Sequence, residues 1–124
     1  MQANLGWTYV AAKGYDNDQQ RQLRVIAHGD TGGMPVQVHL IISGRVQGVC
    51  FRHYCVQVAR QYGVHGWVKN RDDGCVEVMA EGVDTSLEPF VCWCRRGPPA
   101  ASVRDCRESY AKLTGEFDVF EVAF

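Results

Sequence analysis

Two arginines, a cysteine and two glycines fall within the nine residues GRVQGVCFR, Gly44 to Arg52. Eighteen positions beyond Arg52 stands Asn70, inside GWVKNRDDGCVEV, Gly66 to Val78. The first stretch has the makings of an anion site. Gly44 and Gly48 lack Cβ atoms, so successive backbone N–H groups around them can point into one concavity. A helix starting at Phe51 adds unpaired amides and the positive end of its macrodipole. Arg52 falls in that first turn, where the dipole alone favours an acidic side chain. Its planar guanidinium can grip two oxygens of a phosphate, and a bound anion removes the conflict with the dipole.

Common phosphate-handling templates do not fit these residues. No lysine follows Gly48, as a Walker loop requires, and the dinucleotide pattern G-x-G-x-x-G is absent. A thiolate phosphatase places its cysteine six positions before an arginine, but six after Cys50 stands Val56. Cys50 is therefore expected to be a bystander. The six cysteines (Cys50, Cys55, Cys75, Cys92, Cys94, Cys106) contain no C-x-x-C and no Cys/His pairing of structural zinc type. They are expected to be buried small hydrophobes, with no metal bound. His39, His53 and His65 have no cysteine or carboxylate partner at informative spacing, and no catalytic role is expected of them.

The elements that must position Arg52 and Asn70 are readable from periodicity. In VQVHLIIS (36–43), Val36, Val38, Leu40 and Ile42 alternate with Gln37, His39, Ile41 and Ser43, a strand with one apolar face. Phe51, Cys55, Val58 and Tyr62 form a helical stripe that predicts a helix over 51–62, stopped by Gly63. VHGWVKN and CVEVMAE flank RDDG, whose Asp-Gly pair marks a hairpin. A second helix shows the capping pair Thr85 and Glu88, an apolar face of Leu87, Phe90, Val91 and Cys94, and an exit at Gly97-Pro98-Pro99. SVRDCRESY and VFEVAF predict two more strands, joined by KLTGEFD. The order βαββαβ, with a short fifth strand, predicts an α+β, ferredoxin-like sandwich: an antiparallel sheet with two helices on one face.

Composition narrows the function. The 124 residues make one domain's length, and 13 basic against 14 acidic residues leave a net charge of -1. No global field favours nucleic acid or an anionic membrane, so an anion site must be local. CVEVMAE also lacks the basic and aromatic interleaving of an RNA-binding sheet. No apolar run approaches the roughly 20 residues of a membrane span, and the N-terminus lacks a secretory signal. A cytoplasmic, monomeric protein without nucleic-acid or membrane partners is expected. Residues 1–33 read as an extension, with a polar run, GYDNDQQRQLR, and at most a short helix over 17–27. Met34 is the expected natural start of the globular domain, 34–124.

Taken together, the two segments resemble the paired signatures of the acylphosphatases, and the likeness extends more loosely over 36–122. It implies a ferredoxin-like enzyme that hydrolyses the carboxyl–phosphate bond of acyl phosphates to a carboxylate and inorganic phosphate, with no metal or organic cofactor. It places the phosphate-binding arginine on Arg52 and the water-orienting asparagine on Asn70. The backbone cradle falls on Gln47, Gly48, Val49, Cys50 and Phe51. Taken alone, Asn70 beside RDDG is also a natural hairpin residue. The alternative reading is a phosphate-binding module of the same fold that turns nothing over. Lys69, Arg71 and Arg45 are expected to add mild positive potential.

Overall fold

A computed structural model describes residues 33–124. The expected extension, its helix over 17–27 and the residues ahead of Met34 lie, Gly33 apart, outside the described residues. The first strand, β1 (Pro35–Arg45), buries Val36, Val38, Leu40 and Ile42 on one face, as its alternation predicts. Each such side chain contributes roughly 1.5–3 kcal/mol when removed from water. β1 is flanked on both sides, by β3 (Val76–Val83) and β4 (Ser102–Lys112), both antiparallel to it. β2 (His65–Asn70) pairs antiparallel with the other edge of β3.

Two helices cover one face of the sheet. α1 (Phe51–Gln61) follows β1 and packs on β2, while α2 (Asp84–Arg96) follows β3 and packs on β3 and β4. The buried stripe of α1 is Phe51, Cys55 and Ala59, spaced i, i+4, i+8; Val58 lies at its margin and Tyr62 is exposed. Ala59, small enough to sit close against the sheet, takes the place expected of Val58 and Tyr62. The Phe51 and Trp93 rings meet at 5.2 Å between the helices. Gly97 ends α2 with φ 76°, and a Cβ there would sit 3.1 Å from the Phe51 ring. The capping pair is corrected: α2 begins at Asp84, with Val83 at the N-cap, which places Thr85 inside the first turn.

The first four strands form the expected antiparallel sheet, and the short fifth strand makes it mixed, with order β4-β1-β3-β2-β5. β5 (Phe120–Val122) runs parallel to β2. The reason is directional. β4 ends at the end of the sheet where β1 and β2 begin, so the chain crosses beneath the sheet and climbs its far edge in the sense of β2. Glu81, a buried carboxylate near the end of β3, holds that crossing. It accepts from Thr114 N (2.8 Å), Thr114 Oγ1 (2.7 Å), Gly115 N (3.0 Å) and Gln37 Nε2 (2.8 Å).

The cysteines divide. Cys55 and Cys94 are buried, Cys75 and Cys106 are half-buried, and Cys50 and Cys92 are exposed, which corrects the expectation that all six are core. Burial, above all, pushes the Cys106 thiol up to about 12 and moves Cys94 in the same direction, so neither is a nucleophile.

Burial works against the charge on Glu81, but donation from Thr114, Gln37 and Gly115 outweighs it and holds the carboxyl below its ordinary 4.5. The stabilisation is therefore complete above that ordinary value and lost as pH falls through the folded-state value. Glu81→Gln, with one acceptor oxygen facing these donors, is expected to lose about 1.5–3 kcal/mol at pH 7. In urea titrations across pH, the gap to the wild type should close below the ordinary carboxylate range. A constant gap would show that the charge is not what holds the crossing.

Candidate active site

β1 hands over to α1 through residues 46–50, at the opposite end of the sheet from the Glu81 crossing. Gly48 (φ 76°) and Cys50 (φ 65°) both take left-handed conformations, two residues apart. Such alternation turns neighbouring N–H groups toward one side. A Cβ built on Gly48 meets no atom within 4 Å, so space opens beside it. Cys50 is the N-cap of α1 and offers no capping side-chain bond, and no acidic residue stands in the first turn. The helix end is thus left for an outside anion.

Gly44 does something other than expected. It lies in β1 at a register shift against β4, and a Cβ there would stand 2.3 Å from the carbonyl oxygen of Ser102. Its φ of 119° and the close approach of β4 require glycine. Gly44 shapes the strand; Gly48 shapes the cradle.

A cleft of about 550 Å³ opens over this turn. Gly48, Cys50, Phe51, Arg52 and Asn70 line it, together with His53, Val46, Val122 and Phe124. Arg52 and Asn70, on α1 and at the end of β2, thus face one space. Among the described residues neither side chain makes a hydrogen bond or ion pair, whereas Arg95 is held by Glu108 at 2.5 and 2.9 Å and Arg71 by Asp73 at 3.0 Å. Asn70 is therefore not the backbone-bonding hairpin residue that its position beside RDDG also suggests. Asp73 does that work: its carboxylate accepts from Cys75 N and from Arg71, and the Arg71 bond, followed by Cys75, holds it down to about 2.

Gln47 and Val49 belong to the cradle loop only through their backbone. Val49 is buried, and the Gln47 carboxamide turns away to donate to Arg71 O (2.8 Å) and Cys75 O (2.9 Å). No sequence signal distinguished that side chain. Val122 and Phe124 reach the cleft because β5 pairs parallel to β2. The positive rim is also smaller than expected, since Asp73 neutralises Arg71; Lys69 stands over Trp67, its Nζ 5.5 Å from the ring. His39, expected to lack a carboxylate partner, meets Glu77 at 2.6 Å across the strands.

The family model described as Acylphosphatase matches residues 38–122. The chain belongs to the acylphosphatase family. It is 48% identical over 86 residues to an acylphosphatase of Anaeromyxobacter sp. (strain Fw109-5), covering 69% of this chain and 92% of that relative. Its fold is similar to the crystal structure of acylphosphatase from Bacillus subtilis, with 37% identity, a TM-score of 0.69 and 72% and 99% of the two chains covered. It is also similar to an acylphosphatase from Coxiella burnetii, at 32% identity, TM-score 0.68, and 73% and 94% coverage. Members of this family act on small acyl phosphates, and the chain is accordingly a hydrolase of the acylphosphatase type. Among its described residues no helix is long and apolar enough to cross a membrane.

The two left-handed residues predict opposite stability changes. Cys50→Gly should raise unfolding stability by about 0.5–1 kcal/mol by relieving strain, and Gly48→Ala should lower it by about 1 kcal/mol. Urea denaturation of both proteins measures this, and a destabilised Cys50→Gly protein would show that the thiol side chain stabilises the turn.

Proposed function

We propose that Arg52 and Asn70 carry out the hydrolysis, Arg52 and the backbone amides of residues 47–52 binding the phosphoryl group and Asn70 orienting the attacking water. The observation behind this is that a guanidinium without a counter-ion and a carboxamide without a hydrogen bond, among the described residues, line one cleft over an open amide turn. Both side chains are part-exposed and unengaged by other described residues, so their donors and acceptors are free to meet a ligand.

The chemistry suits so sparse a site. An acyl phosphate is a mixed anhydride whose leaving carboxylate is a weak base, so its departure requires no strong general acid. The remaining demands are charge stabilisation on the phosphoryl oxygens and a water placed in line with the scissile bond. Water oxygen attacks phosphorus, the bond to the carboxylate oxygen breaks with its electron pair, and carboxylate and inorganic phosphate leave. The water's proton passes to the substrate's own phosphate. Asn70 accepts from the water and donates to a phosphoryl oxygen, whereas a carboxylate there would repel the dianion. This reading takes 34–124 as the catalytic unit, a cytosolic monomer needing neither metal nor organic cofactor and no nucleic-acid partner. The match to the family model over 38–122 supports that extent.

The test is metal-free hydrolysis of an aromatic acyl phosphate by the wild type, Arg52→Gln and Asn70→Ala. Arg52→Gln is expected to lose both inorganic phosphate binding and turnover. Asn70→Ala should still bind phosphate but turn over at least about 100-fold more slowly. Full turnover by Asn70→Ala overturns the mechanism, and a wild type that binds phosphate without hydrolysis favours the non-catalytic module.

A further inference from the structure

The cradle and Asn70 sit on strands that do not touch. In the sheet order β4-β1-β3-β2-β5, β3 lies between β1, which leads into the cradle, and β2, which ends in Asn70. Ladder hydrogen bonds therefore fix each half of the site relative to β3, and not directly to the other half. At the active end one side chain spans the gap. Gln47, inside the cradle loop, donates both protons of its Nε2, one to Arg71 O at 2.8 Å and one to Cys75 O at 2.9 Å. Those carbonyls stand at the two ends of the RDDG turn, which is closed by Arg71 N donating to Cys75 O and Gly74 N donating to Arg71 O.

From this geometry we infer that Gln47 is a positioning residue for hydrolysis, setting the distance between the phosphate cradle and the Asn70 carboxamide. Asn70 is joined to Arg71 by the peptide bond whose N–H belongs to that closed turn, so the turn and Asn70 move together. The donor chemistry is specific. Two carbonyl oxygens facing one side chain require a group with two protons, and a planar carboxamide supplies both from one nitrogen. A glutamate would set a carboxylate against both carbonyls, and an asparagine falls one methylene short. The Gln47 side chain does not line the cleft and touches no reacting atom; it acts through Asn70. A shift of about 1 Å in a positioned group can lower turnover by two orders of magnitude without altering ground-state binding.

The inference rests on the proposed role of Asn70, and a double-mutant cycle separates the two. The variants are Gln47→Ala, Asn70→Ala and the double variant, each assayed for kcat and for inhibition by inorganic phosphate. Gln47→Ala is expected to lower kcat by about 10-fold or more, with the inhibition constant for phosphate within about twofold of the wild type, because Arg52 and the amides remain. In the Asn70→Ala background the same substitution should change kcat by less than about twofold, since there is no carboxamide left to place. The same fall in both backgrounds, an unchanged kcat, or weaker phosphate binding at constant kcat overturns the inference. If Asn70→Ala alone turns over normally, it is the role of Asn70 that fails. Should Gln47→Ala not fold, Gln47→Met, which preserves shape without donors, takes its place, and loss of the fold in both shows a structural role only.

Discussion

The separation of β1 from β2 by β3 is the constraint on which the active end depends. A ferredoxin-like sandwich places both crossover helices on one face, and each βα turn and each hairpin lies at one end of the strands. The cradle follows β1 and Asn70 closes β2, and both open at the end of the sheet where β3 and β4 begin. The strand ladders register Ile42 of β1 and Asn70 of β2 on the same β3 residue, Val76, but the cradle itself lies beyond the end of β1. Its position is left to the connections. Hence the loop at 46–50 adopts two left-handed residues, one of them not glycine, and sends Gln47 across to the hairpin.

The electrostatics follow the same logic. Arg71 and Arg95 meet carboxylates and cannot add much to a distant potential, whereas Arg52 has no such partner among the described residues. It sits in the first turn of α1, where the macrodipole is also positive and no acidic residue answers it. Two unfavourable placements are concentrated in one turn, together with the strained Cys50. Strain and unpaired charge held where a cleft opens are consistent with a site shaped for an anion, because the ligand supplies the compensation that the protein withholds. A protein of nearly neutral net charge can select a small dianion in this way without binding polyanions elsewhere.

Much of this was legible in the chain because it rests on short-range rules. Alternation in 36–43, the Asp-Gly turn and the Gly97 stop each act over a few residues, and each element formed where its pattern lies. The pairing of Arg52 with Asn70 was legible through the two motifs together, since neither alone distinguishes a site from a turn. What escaped depends on partners remote in sequence. Gly44 and Gly48 look alike in the string, but only the approach of Ser102 makes the first a strand glycine. The direction of β5 depends on where β4 ends, and the Glu81 anchorage of the crossing involves Thr114, 33 residues away. Gln47 reads as one more polar loop residue until the carbonyls of Arg71 and Cys75 are found in front of it.

The two ends of the sheet solve opposite problems with the same kind of contact. At the Glu81 end, a buried carboxylate is fully supplied with donors, and the bonds hold a long crossing in place. At the cleft end, Gln47 satisfies the carbonyls of the hairpin, while the donors nearest the cleft remain available. If both ends were equally satisfied, the cleft would offer no unengaged donors to a ligand; if both were equally open, the short β5 would have little to fix it beside β2. Stability and binding are thus separated along the strand direction. Substitutions at the Glu81 end should alter unfolding with little effect on the cleft, because Glu81 and Asn70 lie at opposite ends of the β2–β3 ladder. The rigid element between them is β3, which lets the fold maintain an unsatisfied site at one end while remaining well bonded at the other.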